Sequence, residues 1–324
     1  MRSLTDLQKL IETGLNNFEL SGRPSELYGP IRYMIQLGGK RLRPALVLMS
    51  HELFGGDPEK VLQPALGIEI FHNFTLLHDD IMDKAPLRRS KPTVHEKWNT
   101  DIAILSGDTM FVQACQFMMN VDATFVSPVL SLFLKTAIEV CEGQQLDMNF
   151  ERQENVSHEE YIEMIGLKTA VLLGCSLSIG AICANASKND IDHIYQFGKK
   201  LGIAFQLHDD ILDVYANADK FGKQIGGDII ANKKTFLFIS TLEQAKQDQL
   251  AEFKRWISMK EFNVEEKVKA VITIFDSLNI RLQAEQKMNE FFSDAMQHLE
   301  QINVPAEKKH LLIEFAEKLM VRES

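Results

Sequence analysis

Apolar residues recur every three to four positions along most of this chain, which is the spacing that buries one face of an α-helix. The pattern predicts amphipathic helices at residues 4–20 and 25–37, and longer, more apolar helices at 58–81 and 190–215. Only nine prolines occur in 324 residues, and no tract rich in proline, glycine or serine separates two parts of the sequence. We therefore predict an all-α fold, a single large helical bundle that forms one domain over residues 1–324.

Two of the apolar helices carry nearly the same acidic sequence. Residues 77–83 read LHDDIMD and residues 207–213 read LHDDILD, so the two copies agree at six of seven positions. Positions four apart share a helix face, so Asp79 and Asp83 point the same way, as do Asp209 and Asp213. The alternative is two solvated acidic surfaces, but surface charge gives no reason to repeat the flanking Leu-His and the internal Ile.

The repeated aspartates indicate a binding site for a hard cation. Carboxylates on apolar helices repel one another and are costly to bury unless a cation neutralises them. Mg²⁺ prefers oxygen ligands, commonly a few carboxylates together with phosphate oxygens. The candidate metal ligands are the six aspartates of the two copies: Asp79, Asp80, Asp83, Asp209, Asp210 and Asp213.

Basic residues near these aspartates indicate a phosphate ligand. Residues 38–44 read GGKRLRP, which places Lys40, Arg41 and Arg43 at the start of a predicted helix, where the helix dipole also favours anions. A basic surface turn is common, and this motif alone would mean little. The other basic candidates are Arg88, Arg89, Lys168, Lys223 and Lys233. Together they favour a diphosphate substrate whose apolar remainder is buried in the bundle.

Charge and cysteine content narrow the class of protein further. The net charge is −10, from 35 basic and 45 acidic residues, which argues against a nucleic-acid-binding protein. Four cysteines without CxxC spacing indicate buried thiols in a reducing compartment, and no signal-peptide pattern is visible, so we expect a cytoplasmic protein. The 17-residue uncharged run at 170–186 is short for a membrane span and contains glycine and serine. We predict a packed core helix there, in a protein that does not span a membrane.

Taken in order, these motifs resemble those of the trans-isoprenyl (polyprenyl) diphosphate synthases of the short-chain type. The matching residues are GGKRLRP at 38–44, DDIMD at 79–83 with RR at 88–89, KT at 168–169, FQLHDDILD at 205–213 and GK-x4-D at 223–228. The resemblance covers nearly the whole chain. It implies a bundle of the isoprenoid synthase type with a central active-site cavity, usually a homodimer. Such an enzyme condenses isopentenyl diphosphate head-to-tail with an allylic prenyl diphosphate.

The same resemblance assigns roles to individual residues. Asp79, Asp83 and Asp209 would be the principal ligands of three Mg²⁺ ions, supported by the other three aspartates. The allylic diphosphate would contact Arg88, Lys168, Lys223 and Lys233, and isopentenyl diphosphate would contact Lys40, Arg43, His72 and Arg89. The allylic carbocation would be stabilised by the Lys168 carbonyl, the Thr169 hydroxyl and the Gln206 side chain. The reaction would proceed by ionisation, condensation and elimination, with the proton lost to the released diphosphate.

The resemblance also places the determinants of product length just upstream of Asp79. Phe74 and Thr75 lie five and four positions before it, and Phe71 lies a turn deeper. A bulky aromatic residue at the fifth position is associated with short products, so we expect geranylgeranyl diphosphate (C20), with farnesyl diphosphate (C15) as the alternative. Three other functions stay open: a longer-chain polyprenyl diphosphate synthase, a non-catalytic subunit of a heteromeric synthase, and a metal-dependent phosphohydrolase.

Overall fold

The computed structural model describes residues 2–18, 22–216 and 226–321, and these ranges are predominantly helical. Within them the only strands are β1 (Leu87–Arg88) and β2 (Lys91–Pro92), which pair antiparallel. The predicted all-α class is therefore confirmed. The helices in chain order are α1 (Leu4–Asn16), α2 (Ser25–Gln36), α3 (Leu42–Leu53), α4 (Leu62–Met82), α5 (Val94–Lys97), α6 (Thr100–Met118), α7 (Ala123–Phe150), α8 (His158–Ile165), α9 (Val171–Cys183), α10 (Lys188–Tyr215), α11 (Gly227–Ala231), α12 (Phe236–Gln244), α13 (Gln247–Ser258), α14 (Val264–Ser277), α15 (Ile280–Glu300) and α16 (Ala306–Met320).

Polar side chains satisfy free backbone amides at several helix starts. Ser3 and Asn263 each accept a hydrogen bond from an amide in the first turn of α1 and α14. Ser157 and Glu160 form a reciprocal capping box at the start of α8. These capping interactions join residues that are close in the sequence, so they help to set helix boundaries without any tertiary contact.

Two predicted helices have different boundaries in the structure. The helix predicted at 58–81 begins as a 3₁₀ turn at Pro58–Val61 and becomes α-helical only at Leu62. The Asp57 side chain caps that turn by accepting from the Glu59 amide, which explains the separate start. The helix predicted at 4–20 ends at Asn16.

Residue packing divides the chain into two compact units, each assembled from discontinuous segments. Unit 1 comprises Met1–Lys135, Cys175–Tyr195 and Ile302–Leu311, and unit 2 comprises Thr136–Gly174, Gln196–Gln301 and Leu312–Ser324. The first acidic copy belongs to unit 1 and the second to unit 2. One domain over residues 1–324 stays a prediction.

In unit 1, α4 packs against α3 and α6. Gly67 allows α6 to approach closely, because a Cβ at that position would lie 2.8 Å from Phe117 Cβ and 3.2 Å from the Ala114 carbonyl oxygen. The apolar side chains of Ile70 and Phe71 are buried on the same helix. This packing fixes the end of α4 that carries the first acidic copy.

In unit 2, the residues that flank the second acidic copy are part of the hydrophobic core. Leu207 and Ile211 are buried with Phe253 and Phe275. Asp209 lies on a different face of α10, since positions two apart on a helix point in nearly opposite directions. Burial of the leucine and isoleucine therefore orients the aspartates.

Two helical stretches have the length and apolar composition of a membrane span, α7 and the continuous helix from His158 to Cys183. The apolar window of the second is 78% buried in the protein, as a core helix is, in agreement with the prediction for residues 170–186. The apolar window of α7 is 28% buried.

The four cysteines are free thiols, and Cys175 is buried. The prediction that all four are buried is wrong for Cys141, which lies on the exposed face of α7.

Candidate active site

The first acidic copy lies at the C-terminal end of α4. Asp79 and Asp80 belong to its last turn, and Asp83 caps the helix, with its amide donating to the Asp79 carbonyl at 2.9 Å. Asp83 is exposed and 21% of the Asp79 side chain is accessible, whereas only 2% of the Asp80 side chain is. Asp79 and Asp83 are therefore the carboxylates that a bound ion could reach from solvent.

Arg88 holds the buried Asp80. The strands β1 and β2 are joined by Arg89 and Ser90, whose φ angles of 51° and 61° are the positive values that a two-residue type I′ turn requires. This hairpin places Arg88 Nε 2.9 Å and 2.8 Å from the two Asp80 oxygens, and Nη2 2.8 Å from Oδ1. Burial raises the pKa of Asp80, and the Arg88 hydrogen bonds oppose that rise. The resemblance assigns Arg88 to the allylic diphosphate and Asp80 to the metal, and the structure pairs these two residues with each other.

The glycine loop that precedes α3 packs against Arg89. The Arg89 guanidinium donates to the Gly38 carbonyl oxygen. Gly39 has a φ of 151°, and a Cβ there would lie 3.0 Å from Arg89 Nη2, so glycine is needed for both conformation and space. Lys40 is exposed, and its carbonyl accepts from Gln8 Nε2 at 2.6 Å.

Arg41 lies in the same basic loop but has a structural role. Its guanidinium donates to Glu12 at 2.7 Å and to Glu69 at 2.6 Å, and only 2% of its side chain is exposed. It also donates to the Ile35 carbonyl at 2.9 Å. The positive charge is thus neutralised inside unit 1, where it ties the loop to α1 and α4.

Arg43 contacts His72 on α4, with 3.2 Å between Nη1 and Nε2. Burial, and then the charges of Arg43 and Arg89, lower the pKa of His72 well below its ordinary value. The ring is therefore neutral and accepts the hydrogen bond through Nε2. Of the four residues predicted for isopentenyl diphosphate, the structure places Arg43 against His72 and Arg89 near both, and Lys40 follows the glycine loop that Arg89 contacts. The four residues are Lys40, Arg43, His72 and Arg89. We name this set the basic face.

The residues predicted to limit product length belong to a larger aromatic cluster. Phe74 stacks on Phe111 of α6, with 5.5 Å between ring centroids. Phe71 packs edge-on against Phe133 of α7 at 5.1 Å. The Thr75 hydroxyl donates to a backbone carbonyl of its own helix, at residue 72. Phe111 and Phe133 come from other helices, so no sequence motif links them to this cluster.

In unit 2, Lys168 and Thr169 lie in a π-helical turn at Gly166–Ala170 that joins α8 to α9. Such turns are frequent at functional sites. α7 crosses this turn at Gly143, where a Cβ would lie 2.2 Å from the Lys168 amide nitrogen. Lys168 Nζ donates to Asp147 Oδ2 at 2.5 Å, so α7 also holds the lysine side chain.

Asp210, in the second acidic copy, accepts a hydrogen bond from the Tyr161 hydroxyl. Burial, and then the charge of Asp228, raise the pKa of Asp210 well above its ordinary value. Burial and the Asp210 charge likewise raise the pKa of Tyr161. The local field around this carboxyl group therefore favours an added positive charge.

Asp213 binds the turn that contains α11. Its Oδ2 accepts from the Asp228 amide at 2.9 Å, and its carbonyl accepts from the Gly226 amide at 2.7 Å. Lys233 Nζ lies 3.7 Å from Asp228 Oδ1. Burial raises the pKa of Asp228, an effect that the Lys233 charge opposes and the Asp213 charge reinforces.

Three residues of this second site had no role assigned from the sequence: Asp147, Tyr161 and Asp228. Asp228 alone had a signal, since it ends the GK-x4-D motif at 223–228. Asp147 and Tyr161 carry no motif, and only folding brings them to Lys168 and Asp210.

The predicted roles of the site residues at metal and substrate all stay predictions, and for three residues the structure adds only a location or nothing. Lys223 lies outside the described residues. Gln206 lies on α10, one turn before the second pair of aspartates, and Thr169 lies in the π-helical turn. Their roles at the substrate stay predictions.

Both acidic groups have the donor chemistry of an Mg²⁺ site. Their donors are carboxylates, which suit hard cations. In unit 2, like charges raise the pKa of Asp210 and of Asp228, so a divalent cation would relieve repulsion that is already present. Within the described ranges, no three histidine, cysteine, aspartate or glutamate side chains already converge enough to hold a metal ion. Mg²⁺ is usually bound by one or two carboxylates together with phosphate oxygens, a coordination that these carboxylates fit.

Solved structures and known sequences show which class of protein this chain is similar to. A crystal structure of a geranylgeranyl pyrophosphate synthase matches this fold with a TM-score of 0.94 and 40% sequence identity over the full length of both chains. The geranylgeranyl pyrophosphate synthase of Geoglobus acetivorans is 35% identical over 322 residues, which cover 99% of this chain and 98% of that protein. The geranylgeranyl diphosphate synthase of Methanosarcina mazei is 41% identical over 224 residues, 68% of this chain and 69% of that protein.

The polyprenyl synthetase family profile matches residues 24–275. The chain belongs to this family. The resemblance to short-chain trans-isoprenyl diphosphate synthases is confirmed, and with it the assignment to the trans-prenyltransferases.

Proposed function

We propose that this enzyme condenses isopentenyl diphosphate with an allylic prenyl diphosphate to form geranylgeranyl diphosphate (C20), with farnesyl diphosphate (C15) as the shorter alternative. The observation that carries the proposal lies in unit 1. There the first acidic copy lies at the C-terminal end of the apolar helix α4, and the aromatic cluster begins one to two turns earlier on the same helix. Such a helix suits a substrate with a charged head and an apolar chain.

In the proposed mechanism both acidic groups bind Mg²⁺. Asp79, Asp83 and Asp209 are the principal ligands, while Arg88 and Tyr161 hold Asp80 and Asp210 behind them. Bound Mg²⁺ would stabilise negative charge on the departing diphosphate. Lys168 and Lys233 add positive charge to the allylic diphosphate.

The basic face binds isopentenyl diphosphate. Since His72 Nε2 accepts from Arg43, its Nδ1–H is the donor of the neutral ring. The guanidinium groups of Arg43 and Arg89 can form forked contacts with phosphate oxygens.

Three oxygen atoms stabilise the allylic carbocation in this proposal: the Lys168 carbonyl, the Thr169 hydroxyl and the Gln206 side-chain oxygen. The isopentenyl double bond supplies the electron pair for the new carbon–carbon bond. The proton lost afterwards goes to the released diphosphate, so no side chain is assigned as its base.

We also propose that the enzyme is a homodimer, on the evidence of two exposed apolar stripes. On α6, Leu105, Val112 and Met119 recur every seven residues and are 58%, 57% and 55% exposed. On α7, Leu134 and Ile138 lie one turn apart and are 38% and 61% exposed. Exposed stripes of this kind mark association surfaces, and a second copy of the chain presents the same stripes for two-fold pairing.

The test is an incubation of the purified enzyme with Mg²⁺, isopentenyl diphosphate and, separately, dimethylallyl, geranyl or farnesyl diphosphate. The products are dephosphorylated and sized by chromatography and mass spectrometry, and a C20 alcohol is expected. Asp79→Asn should lower kcat by at least about 10²-fold, the usual scale for loss of one electrostatic group at a charged transition state. Asp294→Asn, at an exposed ion pair on α15, is the matched control and should leave kcat unchanged.

Other outcomes identify the alternatives. A ladder of much longer alcohols would indicate a long-chain synthase. Phosphate release without isopentenyl diphosphate would indicate a phosphohydrolase. Failure to condense any primer, in folded protein that binds Mg²⁺, would indicate a non-catalytic subunit.

A further inference from the structure

Lys267, on α14, is a fully buried ammonium group that the proposed mechanism does not use. Its Nζ donates to Asn232 Oδ1 at 2.8 Å and to the Ile230 carbonyl at 3.3 Å. It also lies 4.1 Å from the centroid of the Phe262 ring. Among the described ion pairs, none joins Lys267 to a carboxylate. The ammonium is thus held by two oxygens of one short segment and by an aromatic face.

That segment is the turn that carries Asp228 and Lys233. Asp213 binds its start through the Asp228 and Gly226 amides, as described above. Its end closes where the Lys233 amide donates to the Asp228 carbonyl at 2.9 Å. Asn232, between them, has a left-handed φ of 53°. Lys267 therefore holds the turn at the end opposite to Asp213.

Core packing reaches this turn mainly through Ile229, which is buried. α11 is only five residues long, and a small cavity of about 10 Å³ lies against it, lined in part by Asp228, Asn232 and Lys233. Short helices contribute little stability of their own. The hydrogen bonds at the two ends consequently set where Asp228 and Lys233 lie.

We propose that Lys267 is a positioning residue for allylic diphosphate binding, acting through this turn; the inference rests on the proposed function. Taking an ammonium group out of water costs free energy even when it is hydrogen-bonded. The hydrogen bonds of Lys267 to Asn232 and Ile230 orient the turn that carries Asp228 and Lys233.

The experiment compares Lys267→Met with Lys269→Met, an exposed lysine on the same helix. In Lys267→Met, the KM for the allylic diphosphate and the Mg²⁺ concentration for half-maximal activity should each rise at least about tenfold, because groups of the turn lose their alignment. The KM for isopentenyl diphosphate should not change, because the basic face belongs to unit 1. The melting temperature should fall only modestly, because two acceptors of the turn lose their donor while the core stays packed. Lys269→Met should match the wild type in all four measurements.

Two further variants guard against misfolding of Lys267→Met. Asn232→Gly keeps the left-handed backbone but removes the acceptor, and should reproduce the rise in the allylic KM. Lys267→Arg retains the donors and should restore part of the affinity. An unchanged allylic KM in folded Lys267→Met and Asn232→Gly would overturn the inference, as would equal rises in both KM values together with a large fall in the melting temperature. If the wild type condenses no primer at all, the proposed function fails instead, so the two failures are distinguishable.

Discussion

Among the individual residues, His72 shows how neighbouring charges set a protonation state. Burial and the adjacent arginines keep its native pKa well below that of the unfolded chain, about 6.5. Above pH ~6.5 both states are neutral and His72 gives no pH dependence. Below it the unfolded chain binds a proton that the native state does not, so the native state is destabilised as pH falls, by up to about 1.4 kcal/mol per pH unit.

His72→Gln keeps an acceptor for Arg43 but cannot titrate. We expect the free energy of unfolding of the wild type to fall more steeply between pH 6.5 and 5.5 than that of this variant. Urea unfolding of the enzyme without substrates at four pH values measures the difference. Parallel curves would contradict the assignment of a depressed pKa.

We propose that Phe74 limits product length together with Phe111, because the two rings stack between α4 and α6. Phe74→Ala and Phe111→Ala should each lengthen the product by at least one five-carbon unit, and the double variant should lengthen it further. Phe291→Ala, a partly buried phenylalanine of unit 2, is the control and should give the wild-type product. Product sizing by mass spectrometry is the measurement. If Phe111→Ala makes the wild-type product, Phe111 does not limit product length and only Phe74 can do so.

At the scale of the elements, the π-helical turn depends on its crossing with α7. A Cβ on Gly143 would lie 2.6 Å from Lys168 Cα, whereas a Cβ on Gly166 would meet its nearest neighbours at 3.8 Å and 3.9 Å. Gly143→Ala should therefore displace the turn, lower the melting temperature and reduce kcat. Gly166→Ala should be tolerated and can gain up to about 1 kcal/mol of helix propensity.

Thermal unfolding and steady-state kinetics on the two alanine variants measure this contrast. The pair is closely matched, since the same methyl group is added at two glycines that pack near one turn. Equal stability and equal kcat in both variants would show that the crossing does not constrain Lys168.

At the scale of the whole molecule, the exposed stripes predict a particle of twice the 36.8 kDa chain mass. Leu105→Lys and Ile138→Lys each place a charge in a stripe and should shift the mass toward the monomer, because burying an unpaired charge at an interface is costly. Leu282→Lys is the control, since Leu282 is 54% exposed on α15 and lies on neither stripe. Light scattering after size-exclusion chromatography is the measurement. A wild-type monomer, or dimers unaffected by both stripe variants, would reject the proposed interface.

The sequence by itself determined the helical class, the two acidic copies and the glycine-rich basic loop. These features are local: a helical period, a spacing of four residues and a glycine–proline signature depend only on nearby positions. The resemblance added roles at metal and substrate that no spacing could supply, and those roles stay predictions.

Only the tertiary structure decided which charges meet. Arg41 and Arg43 look alike in the sequence, yet one is neutralised by Glu69 in the core and the other reaches His72. Tyr161 joins Asp210 across 49 residues of chain. A periodic pattern marks which face of a helix is buried but not which face of another helix it meets, and that choice depends on the packing of the whole core.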